Sequence, residues 1–350
     1  MFLHVCLFLL IAAVLSPASV ADAQTTSSPL FADESTLAIT IEGPITTLVK
    51  ERSNDEYYQG LLKYQDADGT ERTLDLQFRT RGNFRRRVST CRFPPVRLNL
   101  RKNQVEGTLF DGQNILKLVT HCRQGTDRYE QYVLKEQLAY KILHLHTPAS
   151  FRTRLLRVNW VDTDNGNSAS EHYGFVIEHR SELAERNGLT YYDQPRATFE
   201  QLDAEQAVLA AIFEYMVGNT DFSMVKAAEG EDCCHNGELY DSNASELVFV
   251  PYDFDMSGIV DAPYAVANPR FKLRGVTSRL YRGRCLFNDN LDAAVAVYLD
   301  RQDDVMTLVD QQEGLTDRHR RKVRSFLDRF YAVMADPSKV EKELKKDCVG

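Results

Sequence analysis

Three short stretches carry residue types suited to phosphoryl transfer. Gly218-Asn219-Thr220-Asp221-Phe222-Ser223 places an aspartate just beyond an apolar helical pattern. His235-Asn236 follows, and Pro251-Tyr252-Asp253-Phe254-Asp255-Met256-Ser257-Gly258 comes directly after a short apolar run. A loop aspartate can orient or deprotonate an acceptor hydroxyl. An asparagine amide oxygen and a strand-end carboxylate can hold Mg²⁺ against phosphates, because this ion takes oxygen ligands and only one or two carboxylates from the protein. Asp221 is therefore the candidate catalytic residue, and Asn236, Asp253 and Asp255 are the candidate metal ligands. Residues two apart on a strand point the same way, so Asp253 and Asp255 could reach one ion. Asp253 directly follows the apolar run and is the better placed. Asp255 is either a second ligand or the cap of the next turn. Singly, each of these residues suits an ordinary turn; their order along the chain favours a site.

Such a site also needs cations. Arg79-Thr80-Arg81-Gly82-Asn83-Phe84-Arg85-Arg86-Arg87, with Arg92, Arg97, Arg101 and Lys102, is a basic concentration in a chain of net charge −8. Arg81 and Arg97 are the candidate phosphate contacts, while a solvated loop suits Arg85–Arg87 better. Lys117 is the lone charge in Ile115-Leu116-Lys117-Leu118-Val119 and must find an anion, since an unpaired buried charge is costly. Glu136, on the helical pattern that follows, is the predicted partner, in the lysine–glutamate arrangement that holds nucleotide phosphates. The alternative is a structural ion pair. Glu178 ends Phe175-Val176-Ile177-Glu178 and either contacts a nucleotide base or caps a strand.

The elements that must position these residues fall into two halves. Leu37, Ile39 and Ile41 alternate with polar residues, as in a half-buried strand. Leu61–Tyr64 and Leu74–Phe78 predict a hairpin around Asp66–Gly69, and Leu155–Val161 and Tyr173–Glu178 predict another around Asp164–Asn167. Val96–Leu100 and Ile115–Val119 read as further strands. One helix, Arg128 to His144, carries Leu134, Leu138 and Ile142 at helical spacing. Residues 183–217 read as helices ending at Gly218, 224–237 as a loop, and 289–350 as helices, one with Thr316 as N-cap. The predicted fold is α+β and bilobal, protein-kinase-like: a β-rich N-terminal lobe over 36–180 with one helix, and a mainly helical C-terminal lobe over 181–350 carrying the catalytic and metal motifs.

Ahead of these lies an apolar run to Leu15, then Ala21-Asp22-Ala23, which reads as a signal peptide over 1–23. Residues 24–35 read as a flexible lead-in. A short membrane anchor is the alternative reading of the leader, and no later segment is apolar enough to span a bilayer. Cys91, Cys122, Cys233, Cys234, Cys285 and Cys348 remain after the leader, an even count that suggests disulfides in an exported chain. Cys91 and Cys122 are one predicted pair; Cys233 and Cys234 are expected to bond elsewhere, with Cys285 and Cys348 as partners. A zinc site from Cys233, Cys234 and His235 is the rival. The net negative charge argues against nucleic acid as a partner. Asn243-Ala244-Ser245 is a possible glycosylation sequon.

Arg81-Gly82-Asn83, Phe93–Leu100, Leu118-Val119, Tyr173–Glu178, Asn219-Thr220-Asp221 and Pro251–Asp255, in that order, resemble the spore-coat CotH family of atypical kinases. The last two stretches also look like those of HipA-type and phosphoinositide-type kinases. A set of exported bacterial proteins sharing Gly-Asn-Thr-Asp and Pro-Tyr-Asp-Phe-Asp is similar too. The resemblance implies an ATP- and Mg²⁺-dependent (or Mn²⁺-dependent) phosphotransferase, secreted or periplasmic, with a protein or small-molecule hydroxyl as acceptor. It assigns Asp221 to the catalytic loop, and Asp253 and Asn236 to the metal. Where the CotH pattern has a strand lysine this chain has Asn99, which makes Lys117 the substitute. The rival functions are a noncatalytic envelope binding protein and a metal-dependent hydrolase using Asp221, Asp253 and Asp255.

Overall fold

Alternation of apolar and polar residues builds seven strands in the N-terminal half: β1 (Leu37–Gly43), β2 (Tyr58–Gln65), β3 (Glu71–Thr80), β4 (Val96–Leu100), β5 (Ile115–Val119), β6 (Thr153–Asp162) and β7 (Ser168–Ile177). The computed structural model describes residues 28–66, 68–125, 127–227, 233–242, 244 and 246–350. The stretch read as a signal peptide, the first residues of the lead-in, and Asn243 and Ser245 of the sequon lie outside the described residues. The strands close into a barrel in the order β1-β2-β3-β4-β5-β7-β6. Neighbours are antiparallel except at the seam, where β1 runs parallel to β6 from Leu37↔Leu156 to Gly43↔Asp162. Ile41, Leu62, Leu76, Phe78, Leu98, Leu116, Leu118 and Val176 fill the interior. On the outer face, Arg79, Arg97 and Lys117 are cross-strand neighbours in one row.

This architecture corrects the bilobal kinase-like fold. The β-rich half is a closed barrel, and it holds more than one helix: α1 (Pro29–Ala32), α2 (Ile45–Glu51) and α3 (Lys102–Val105) accompany α4 (Asp127–His146). Helices of one or two turns are too short to display a 3.6-residue period. The β1–β6 seam joins residues more than a hundred positions apart, and no local pattern announces it. Part of the described lead-in packs against the fold, while Ala32 to Ser35 are exposed. Leu30 and Phe31 are buried, and the Ser28 hydroxyl donates to Glu182 at 2.7 Å.

Beyond the barrel come α5 (Arg180–Asn187), β8 (Thr190–Tyr191), α6 (Ala204–Val217), β9 (Gly237–Asp241), β10 (Leu247–Pro251), α7 (Leu291–Asp300), α8 (Gln302–Gln311), α9 (Asp317–Met334) and α10 (Pro337–Val340). The three short strands form a second sheet, β10-β9-β8. Every residue of α6 from Ala207 onward is buried, as expected of a helix that is apolar all round but for Glu214. In α9, Val323, Phe326, Leu327, Phe330 and Met334 face inward, as their spacing predicts. Among the described residues no helix is long and apolar enough to cross a membrane.

Three disulfides form among the described residues. Cys91 bonds Cys122 as anticipated. Cys285 and Cys348 bond each other where the chain end pairs with residue 284. Cys233 and Cys234 bond each other, which corrects the outside partners expected for them and removes both thiolates from any zinc site.

Candidate functional site

The site starts from two glycines. Gly218 ends α6 in the left-handed region (φ +68°), and its N–H donates to the Glu214 and Tyr215 carbonyls. Its own carbonyl accepts from Gly258 N–H at 3.1 Å, and the Val217 carbonyl accepts from Ile259 N–H at 2.9 Å. A Cβ on Gly258 would lie 2.8 Å from the Val276 carbonyl oxygen, a backbone atom with little room to give. These bonds bring the Asp221 loop and the Asp253 stretch together, although more than thirty residues separate them.

Asp221 is held from several sides. Its N–H donates to Asn219 Oδ1 at 2.9 Å. Arg282 donates to the carbonyls on either side, Thr220 at 2.9 Å and Phe222 at 2.7 Å, and its guanidinium lies 4.6 Å from the Phe222 ring centre. His235 Nε2 is 3.0 Å from Asp221 Oδ1, and the Asn236 amide donates to the Asp221 carbonyl at 2.6 Å and to Oδ2 at 3.3 Å. The hydrogen bond from His235 holds the carboxyl below its ordinary range, with burial acting against it. A carboxylate so held is a weak proton acceptor at neutral pH, so Asp221 suits orienting a hydroxyl better than fully deprotonating it.

Asn236 and Asp253 share an unusual backbone. Both lie in the left-handed region, at φ 51° and 64°. Asn and Asp tolerate this region better than other non-glycine residues, and such conformations cluster at ligand clamps. The Asn236 carbonyl accepts from Tyr252 N–H at 3.1 Å, so Asn236 sits beside the Asp253 turn. Tyr140 in α4 accepts from Asp253 N–H at 2.8 Å. The strand reading of Asp253 and Asp255 needs correction: β10 ends at Pro251, and Phe254–Met256 form a 3₁₀ turn.

Arg85 links both aspartates to the barrel side. Its Nη1 and Nη2 donate to the two Glu136 oxygens at 2.8 and 3.1 Å. Nη2 also reaches Asp253 Oδ1 at 2.9 Å, and Nε lies 3.1 Å from Asp255 Oδ2. This corrects two readings. Arg85 is not a solvated loop residue, since its side chain is 11% exposed, and the partner of Glu136 is Arg85 rather than Lys117. A signal was present: Glu136 is flanked by Val133, Leu134 and Leu138 on a helix, and an inward glutamate there needs a cation. Burial pushes Asp255 up to about 8, with Arg85 opposing the shift.

Lys117 faces Glu238 instead, at 4.0 Å, and lies 5.0 Å from the Tyr252 ring centre. Desolvation brings its ammonium down to about 8, and nearby Arg81 pushes the same way. Lys117, Arg81, Asp221, Asn236, Asp253 and Asp255 all line one cleft of about 530 Å³. Arg180, stacked 4.4 Å from the Tyr191 ring centre, lines the same cleft and was not anticipated.

Two predicted contacts lie elsewhere. Arg97 shares the outer barrel row with Lys117 but is not among the residues lining the cleft. Glu178 is buried in a pair with Arg186 (3.1 and 2.9 Å) and accepts from Arg152 N–H at 3.0 Å, outside the cleft. Glu178→Gln should therefore lower stability by about 1–3 kcal/mol, the cost of weakening a buried charged hydrogen bond, and leave ligand affinity in the cleft unchanged. Urea denaturation with a parallel binding titration checks both halves.

Among the described residues, no group of three or more His, Cys, Asp and Glu side chains is arranged to hold a metal ion. Two oxygen ligands nevertheless fit Mg²⁺, which usually keeps several waters and completes its shell with substrate phosphates. Asn236 spends its amide nitrogen on Asp221, which leaves its oxygen as a ligand. Arg85 holds only Oδ1 of Asp253, whose side chain is 37% exposed. No family model matches the chain, and no curated protein matches it.

Proposed function

We propose that this chain is an exported ATP- and Mg²⁺-dependent phosphotransferase acting on a protein or small-molecule hydroxyl. The observation that carries the reading is the gathering of Asp221, Asn236 and Asp253 with Lys117 and Arg81 around one cleft. Asn236 and Asp253 would hold the ion, which supplies charge neutralisation at the transferring phosphate. Lys117 and Arg81 bind phosphate oxygens. Asp221, ionised and fixed by His235, accepts a hydrogen bond from the acceptor hydroxyl and aims its oxygen. The resemblance to the CotH family supports the reading, and the proposal rests on the site rather than on the fold. The three disulfides support a secreted or periplasmic location, where such bonds persist.

A second reading, a noncatalytic nucleotide-binding protein, is favoured by one observation: both Asp221 oxygens already have partners in His235 and Asn236. Transfer of label from γ-labelled ATP by the purified, oxidised protein separates the two. The wild type should transfer label, whereas Asp221→Asn and Asp253→Ala should not. Equal labelling by all three would contradict the proposal, and nucleotide binding without transfer would favour the second reading.

The lysine gives a pH dependence. Below about 8 Lys117 is charged and attracts phosphate; above it the charge is lost. Affinity for Mg–ATP should therefore fall as pH rises from 7 to about 9, the interval spanning that titration. Lys117→Met should bind more weakly at pH 7 and lose the larger part of this dependence, the remainder coming from Asp255, which loses its proton over the same interval. Calorimetric titration across the interval checks it.

A further inference from the structure

We propose that Arg85 is a resident cation reserving Asp253, so that a divalent ion enters the cleft only together with an anionic phosphate ligand and not alone. The inference rests on the reading of this cleft as a metal–phosphate site. Arg85 forks onto three carboxyl groups that differ in exposure: Glu136 is 2% exposed, Asp255 7% and Asp253 37%. The two buried partners pin the guanidinium in place. Asp255 lines the cleft but is nearly buried, whereas Asp253 is open to it and takes its bond from Nη2, which also serves Glu136. Asp253 can therefore be released without dislodging the arginine.

Charge sets the consequence. A divalent ion binding Asp253 would stand beside a guanidinium that is already pinned there, with Lys117 and Arg81 lining the same cleft. In a partly buried site, like charges at such separations repel strongly. Asn236 contributes only a neutral oxygen, Asp255 is committed to Arg85, and the other two carboxyl groups lining the cleft have partners of their own, Glu238 in Lys117 and Asp221 in His235 and Asn236. A polyphosphate supplies the missing negative charge, offsetting the cations and the ion at once. A lysine would not do the same work, because a single ammonium cannot span three carboxyl groups as a planar fork can.

Mn²⁺ serves as the probe, with its protein-bound form read by enhancement of water-proton relaxation. The full oxidised chain should give no enhancement with Mn²⁺ alone, and a clear one once a non-hydrolysable ATP analogue is added. Replacing Arg85 together with its most buried partner, Arg85→Met with Glu136→Met, is the kind of change buried ion pairs often tolerate, and it leaves Asp255 beside Asp253 without a cation. That variant should bind Mn²⁺ alone about tenfold or more tighter than the wild type. Arg85→Lys should shift in the same direction, and it serves if circular dichroism shows the double variant unfolded. Wild-type protein that binds Mn²⁺ alone as tightly as with the analogue would overturn the proposal. So would a folded variant that binds Mn²⁺ no better than the wild type. If the variant gains Mn²⁺ binding while the wild type never binds the Mn²⁺–analogue complex, the role of Arg85 stands and the phosphotransferase reading fails.

Discussion

Arg85→Ala lowers the stability of the chain by about 3–5 kcal/mol, the cost of leaving buried charge without its partner. The guanidinium is the counter-ion shared by Glu136 and Asp255, both nearly inaccessible to water, and by the more open Asp253. Removing it leaves these carboxyl groups to repel one another or take up protons, and either costs free energy. The loss is also structural. Arg85 ties the loop after β3 and the turn after β10, which both line the cleft, to α4 behind them. An exposed pair calibrates the effect: Arg324→Ala, opposite Asp310, should cost less than about 1 kcal/mol. Urea unfolding monitored by circular dichroism measures both variants. A loss at Arg85 no larger than at Arg324 would contradict this description of the cluster.

Under the proposed function, Asp221→Asn lowers phosphoryl transfer by about two to four orders of magnitude, the usual worth of a positioned acid–base group, and leaves Mg–nucleotide affinity within a few-fold. The substitution keeps the side-chain shape but removes the charge that draws the acceptor hydroxyl. Its loop is fixed by backbone contacts with Arg282, Gly258 and Asn219, none of which depends on that charge. Asp253→Ala differs in kind, because it removes a proposed ligand to the ion and should weaken nucleotide binding together with transfer. Comparing rate and affinity in the two variants tests the separate roles; an equal loss of affinity in both would show that Asp221 binds rather than orients.

What the sequence makes legible is local. The long helices α4, α6 and α9 follow from apolar spacing, and Gly218 marks the end of α6 because only a residue at ease with positive φ fits there. The two hairpins follow from their turn residues. The Asp221, Asn236 and Asp253 stretches stand out because polar residues interrupt apolar elements. What is missed is non-local. Barrel closure depends on β1 meeting β6, and the Cys285–Cys348 bond depends on the chain end folding back beside residue 284. Partner choice fails for the same reason. Glu136 needed a cation, but whether Lys117 or Arg85 supplies it depends on where the loop after β3 lies. Glu238, which Lys117 faces, starts a strand immediately after a stretch that reads only as loop.

Calorimetric titration of the oxidised protein with Mg–ATP, set beside Asp253→Ala, tests the central claim most directly. The wild type should bind one equivalent, and the variant should lose about tenfold or more in affinity, a difference of roughly 1.4 kcal/mol. Absence of binding by the wild type, or equal binding by both proteins, would contradict the assignment of this cleft to a metal–nucleotide complex.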